Sequence, residues 1–345
     1  MTSNTHKPKV SVVMSINNDP LQWIRLAVES ILKQTFRDFE FIIVCDSPDF
    51  AEGISYIREM QARDSRIRVV ENSTNLGPTR SFNIAIGVAE GEYIARMDAD
   101  DISFEERFER QTAFLDTHPD VYVCATDVHI IDKTGRIVRK RRFRHKTDHT
   151  ELLLYNTVSH PSVMFRKSLL ELRNPIYNED FIYSQDYELW TYLLMKGYRI
   201  QTLEEPLLLY RKSSIQISSA RKNRQTELFK KAHREFIISW LTAKGIIESS
   251  DRHEMKLMLR KASSAFRTSD KSDQRWLSLI IYVLYFSIGT DQWSYRFKYL
   301  TDRNMTAFRI KFMLTFRMFF SRKTRRDRSG FIPEKGADQK RLKPA

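Results

Sequence analysis

The alternation of segment types along the first hundred residues constrains the fold more than any other feature of this 345-residue chain. "KVSVVMSI" (9–16) is apolar and β-branched. Pro20 suits a helix start, and "LQWIRLAVESILKQ" (21–34) carries an apolar face that includes Trp23, Ala27 and Ile31. "FEFIIVCD" (39–46) reads as a second strand, followed by a polar helix and the strand "RIRVVEN" (66–72). A helix over Pro78–Ala89 and the strand "EYIARM" (92–97) complete the series. Strands this continuously apolar, each separated by a helix, predict an α/β fold: a mostly parallel sheet covered by helices. Such sheets bind ligands beyond the carboxyl ends of the strands, at the crevice where strand order reverses. Ser15, Asp46 and Asp98 fall at the ends of the first, second and fourth predicted strands.

Beyond that region "SFEE" (103–106) has the form of a capping box and predicts a helix start. Residues 122–143 read as strand around a turn at "DKTG" (132–135). "DYELWTYLLMKG" (186–197) reads as a helix stopped by Gly197, followed by the strands "RIQTL" and "PLLLYRK". From about residue 221 the pattern is mainly helical. Charge divides at the same place: residues 1–219 carry a net charge of −3 and residues 220–345 one of +17, out of +14 overall. The expected organisation is therefore a nucleotide-binding domain over 1–219 and a helical, basic region over 220–345, with a disordered tail from about 322. Cys45 and Cys124 both sit in apolar runs. This usage predicts a reduced, cytoplasmic protein, and the polar start "MTSNTHKPKV" lacks a signal-peptide core.

The fourth strand runs into "MDADD", three carboxylates within four residues: Asp98, Asp100 and Asp101. Like charges this close are unfavourable without a cation among them. In an extended segment Asp98 and Asp100 project to one side, where a hard divalent ion, Mg²⁺ or Mn²⁺, takes carboxylate and phosphate oxygens together. A calcium EF-hand does not fit, because Ile102 and Ser103 stand where that loop needs an oxygen ligand and a glycine. The plainer reading, a solvated acidic turn before a helix, applies to Asp101 as readily as function does.

Four ordered blocks decide between these readings: "VSVVMSINND" (10–19), "SILKQTFRDFEFIIVCDSPD" (30–49), "NLGPTRSFNIAIGVAEGEYIARMDADD" (75–101), and "HPSVMF" with "SQDYELW" (160–190). Together, over about Val10 to Ser218, they resemble the family 2 glycosyltransferases of the GT-A fold. The resemblance implies transfer of a sugar, with inversion, from a nucleotide-diphosphate donor to a saccharide hydroxyl, the acceptor being a lipid-linked chain of a surface polysaccharide. It places Ser15 and Asp46 at the nucleobase and ribose, Arg80 near the base and diphosphate, Asp98 on the ribose and the metal, and Asp100 on the metal. It makes Asp186 the general base and Arg211 a diphosphate contact. Asp186 at a helix start is expected to stay ionised. The chain departs from the family pattern in three places. Cys45 replaces an acid, Gln185-Asp186 replaces a Glu-Asp pair, and Ser213 stands where relatives carry a histidine. His160 reads as a structural histidine near the acceptor side.

In the basic third, "WLSLIIYVLYFSIG" (276–289) is too short to cross a bilayer comfortably. Met305, Phe308, Phe312, Phe316 and Phe319 form one helical stripe beside the polybasic run "SRKTRRDRS". This pairing predicts peripheral attachment to an anionic membrane surface. A nucleic-acid-binding protein is the alternative reading of the charge, but no zinc-finger or RRM pattern supports it. A sugar nucleotidyltransferase would need a Gly-rich phosphate loop, which "SINNDPLQW" does not supply.

Overall fold

The computed structural model describes residues 6–143, 145–147, 152, 156–213 and 222–243. Its centre is four parallel strands: β1 (Val10–Ile16), β2 (Phe39–Cys45), β3 (Ile67–Glu71) and β4 (Tyr93–Asp98), in the spatial order β3-β2-β1-β4. Helices α1 (Leu21–Leu32), α2 (Ala51–Arg63) and α3 (Pro78–Val88) make the crossovers. β1 and β2 are buried along nearly their whole length, as expected of strands covered on both faces. α1 turns Trp23, Ile24, Ala27, Val28 and Ile31 inward, the 3.6-residue spacing seen in its sequence. The strand order reverses between β1 and β4, so their carboxyl ends open the crevice.

The second half of the sheet is mixed. It comprises β5 (Ile102–Ser103), β6 (Val121–Ile131), β7 (Ile137–Arg141), β8 (Lys146–Thr147), β9 (Met164–Arg166) and β10 (Arg199–Arg211). β9 runs antiparallel between β4 and β6, and β10 lies parallel to β6. The helices are α4 (Arg107–Thr117), α5 (Leu169–Leu172), α6 (Gln185–Met195) and α7 (Lys222–Ala243), the last packed on α6. All described residues belong to one compact unit that runs to Glu248.

Two local expectations change. The "SFEE" stretch forms no capping box: Ser103 is in β5, and α4 begins at Arg107 without a side-chain cap. Ser103 is instead held by its neighbours, its N–H donating to Ser30 and its hydroxyl accepting from Gln34, which removes it from capping. "RIQTL" and "PLLLYRK" are one strand, β10, because register shifts around Leu203, Pro206 and Leu208 absorb the proline without ending the pairing. Gly197 does end α6, at φ +83°. No helix among the described residues is long and apolar enough to cross a membrane. The apolar run 276–289, the stripe 305–319 and the tail from 322 lie outside the described residues.

Candidate active site

Register brings the crevice together. Ser15 on β1 lies directly beside Asp98, the last residue of β4. The Asp98 carboxylate is gripped by Arg96 through two nitrogens, at 2.8 and 3.0 Å, while Arg96 stacks over Phe82. Burial works against the Arg96 charge, but Asp98 outweighs it, and the guanidinium stays firmly protonated.

Asp100 and Asp101 follow in the turn after β4. Ligand atoms of Asp98, Asp100 and Asp101 all lie within 4.8 Å of one another. Asp101 is fully buried; its Oδ1 accepts the Arg211 backbone N–H at 2.8 Å, and its Oδ2 has no partner among the described residues. Burial raises the Asp101 carboxyl well above the usual range, and the charges of Asp100 and Asp98 raise it further. A buried carboxylate oxygen without a donor, beside two more acids, fits a hard divalent cation. The residues present therefore suit Mg²⁺ or Mn²⁺.

Arg211 comes from the end of β10 and is also buried, with its guanidinium over the Trp23 ring. It donates from Nε to the Asp100 carbonyl at 2.7 Å and from a terminal nitrogen to the Asp132 carbonyl at 3.0 Å. Its geometry ties the acidic turn to the β6–β7 turn from below.

Asp46, just past β2, is 1% exposed and organises a loop. Its Oδ1 accepts from Asn72 and from the Leu76 N–H, both at 2.8 Å, and its Oδ2 from the Gly77 N–H at 2.9 Å. Gly77 sits at φ +82°, which leads the chain into α3. Arg80, in the first turn of α3, reaches across the crevice to Glu179 at 2.8 Å.

Asp186 begins α6 and accepts from Asn156 at 2.7 Å. Burial raises its carboxyl above the usual range; the Tyr187 N–H, the Arg96 charge and the Asn156 bond each pull it down without cancelling the burial. The helix start is thus outweighed, and the group is a stronger proton acceptor than a solvated aspartate. Asp186 lines a pocket of about 260 Å³ with Asn156, Tyr183, Ser184 and Tyr187, and with Gln225, Thr226 and Phe229 of α7. His160 bonds the Tyr177 hydroxyl at 2.8 Å and packs on Trp190, and burial keeps its imidazole neutral. It is a structural histidine, as its sequence setting indicates.

Similarity to known proteins decides what this crevice belongs to. The sequence pattern of "Glycosyl transferase family 2" matches residues 11–173. An uncharacterized glycosyltransferase of Methanocaldococcus jannaschii is 36% identical over 214 residues, 61% of this chain and 73% of that one. The chain belongs to glycosyl transferase family 2.

A second relative, the O-antigen biosynthesis glycosyltransferase WbnJ of Escherichia coli, is 28% identical over 59% of this chain and 79% of its own. Among solved structures, Staphylococcus aureus TarS 1–349 in complex with UDP-GlcNAc superposes with a TM-score of 0.54 at 19% identity. It covers 81% of this chain and 88% of that one, a likeness of fold. In this glycosyltransferase two crevice residues escape a motif reading. Arg96 is an ordinary strand residue until the structure places it between Asp98 and the Asp186 side. Asp19 follows β1 in the turn "NND", and only the fold brings its charge to Asp98. Burial pushes its carboxyl up to about 6, with the Asp98 charge adding to the shift.

Proposed function

We propose that this family 2 glycosyltransferase moves a sugar from a nucleotide-diphosphate donor, with inversion, to a hydroxyl of a saccharide acceptor in surface-polysaccharide synthesis. The observation that carries the reading is the trio Asp98, Asp100 and Asp101, with its unpartnered buried oxygen at the open end of β4. The UDP-GlcNAc complex of TarS and the O-antigen role named for WbnJ are consistent with it.

Asp98 and Asp100 would hold the divalent cation, with Asp101 behind them. When bound, the cation supplies Lewis-acid neutralisation of the leaving diphosphate. Ser15 and Asp98 line the nucleoside side; Asp46 shapes that side by fixing the Asn72–Gly77 loop, and Arg80 closes its rim. Arg211 acts by holding the Asp100 backbone in place. Asp186 accepts the proton of the attacking hydroxyl as the new glycosidic bond forms. The bond from the anomeric carbon to phosphate breaks, and the nucleoside diphosphate leaves with the electron pair. One displacement inverts the centre.

The basic region, residues 220–345 with net charge +17, would hold the enzyme to an anionic, cytoplasmic membrane face, near a lipid-linked acceptor. Titrating UDP, GDP and dTDP with Mn²⁺ into wild type and Asp100→Ala tests the donor half. We expect metal-dependent binding in the first and loss in the second; equal binding by both removes the site. Asp186→Asn should keep donor binding and abolish transfer, and retained turnover removes the base. The full chain should sediment with anionic vesicles and not with neutral ones.

A further inference from the structure

The outer wall of the Asp186 pocket comes from Gln225, Thr226 and Phe229 of α7, more than fifty residues past Arg173, where the family match ends. α7 thus adds to this pocket from outside the stretch that the family pattern matches. Phe229 packs at a tilt against Tyr187 with ring centroids 4.4 Å apart, so its position is fixed by a buried residue next to the proposed base. Gln225 donates to the Tyr183 carbonyl at 3.0 Å, clamping α7 to the turn before α6. Tyr183 in that turn has φ +71°, an uncommon value for a non-glycine residue, held in place by its surroundings. Ser184 also lines the pocket; it is 2% exposed, and its hydroxyl has no partner among the described residues. A buried hydroxyl in that state is satisfied by a ligand or by water.

Chemistry narrows the occupant. Asp186 is the one charged side chain among the eight lining residues. An anionic sugar would set a second negative charge beside it, and among the described residues Arg96, the cation whose charge reaches Asp186, is already held by both oxygens of Asp98. The volume of about 260 Å³ accommodates a single sugar ring. We propose that α7 forms the specificity wall of the acceptor site and selects an uncharged pyranose, its C–H face on Phe229 and its hydroxyls on Ser184 and Gln225. This rests on the reading of Asp186 as the acceptor-side base.

Saturation-transfer NMR on the full chain tests it, with methyl glucoside, galactoside, mannoside and N-acetylglucosaminide as neutral probes and methyl glucuronide as the anionic one. At least one neutral probe should bind, with the glucuronide about tenfold weaker or more. Phe229→Ala should weaken that neutral probe about fivefold, and Phe229→Tyr should restore it. Ser184→Ala should weaken it as well, through a site that does not touch α7 packing. Glucuronide binding as tight as the neutral probes, saturation by none of them, or unchanged binding in Phe229→Ala would each overturn the proposal. UDP binding with Mn²⁺ in the same samples reports on the donor half separately, so a donor failure alone leaves this wall standing.

Discussion

Arg96 holds both oxygens of Asp98, two residues further along the same strand, and its charge also reaches Asp186 across the crevice. One buried cation thus steadies Asp98 and lowers the pKa of Asp186. Replacing it by glutamine separates these effects. As the proposed base Asp186 works as a carboxylate, so losing the Arg96 charge moves its titration upward. The acid limb of the transfer rate should therefore shift to higher pH. The fold should weaken by about 3 kcal/mol, because Asp98 loses its partner in a partly buried setting. An unmoved acid limb would show that Asp186 does not sense Arg96.

Arg211 offers a test of the acidic turn that does not touch its carboxylates. Arg211→Ala removes the donor that joins the Asp100 and Asp132 carbonyls and empties a buried site over Trp23. We expect a loss of about 3 kcal/mol, roughly 6–12 °C in melting temperature for a domain of this size, with weaker metal-dependent UDP binding. Arg211→Lys should recover little of either, because an ammonium cannot reproduce the fork between two turns. A melting temperature within 2 °C of wild type would contradict the staple role.

Crowding of Asp98, Asp100 and Asp101 around the proposed cation predicts a pH-dependent response to metal. Asp101 is raised by burial and by its two neighbours, so it is reluctant to ionise. Mn²⁺ should stabilise the chain more at pH 8 than at pH 5, since protons and metal compete for the same oxygens. Asp101→Asn should raise the melting temperature in EDTA by a few degrees, at about 1 kcal/mol, and shrink the gain from Mn²⁺. Differential scanning fluorimetry at the two pH values reads both. An equal gain from Mn²⁺ in the variant would place the ion elsewhere.

The four parallel strands and three crossovers were legible because each signal is local: apolar runs of the right length, a proline at a helix start, and residues at strand ends. Asp98 and Asp100 stood out through their spacing, and Asp186 through the resemblance to family 2 glycosyltransferases. Less visible were roles set by partners far along the chain. Arg211 reads as a strand-end cation, yet its partners lie at Asp100 and Asp132. Asp46 reads as a ligand-facing acid, yet three N–H groups of the Asn72–Gly77 loop occupy it. Arg107 opens a helix as an ordinary charged residue, but the fold buries it completely on Gln111 and the Arg96 carbonyl. Contacts of this range come from the sheet order, which no window of sequence contains.

Asp19 gives the clearest pH signature. Its folded pKa of about 6 lies above the ordinary 3.8, mainly through burial, with Asp98 adding repulsion. An acid raised in the folded state binds its proton more tightly there than in the unfolded chain. Its stabilising contribution is therefore complete below pH 3.8 and disappears as pH rises through about 6. Asp19→Asn keeps an acceptor for the Asn17 N–H, now 2.9 Å from Oδ2, and removes the charge. In EDTA the variant should match wild type near pH 4 and exceed it by on the order of 2 kcal/mol at pH 7. Urea unfolding at half-unit pH intervals measures that difference directly. A gap that stays flat from pH 4 to 7 would mean that Asp19 ionises without feeling either burial or Asp98.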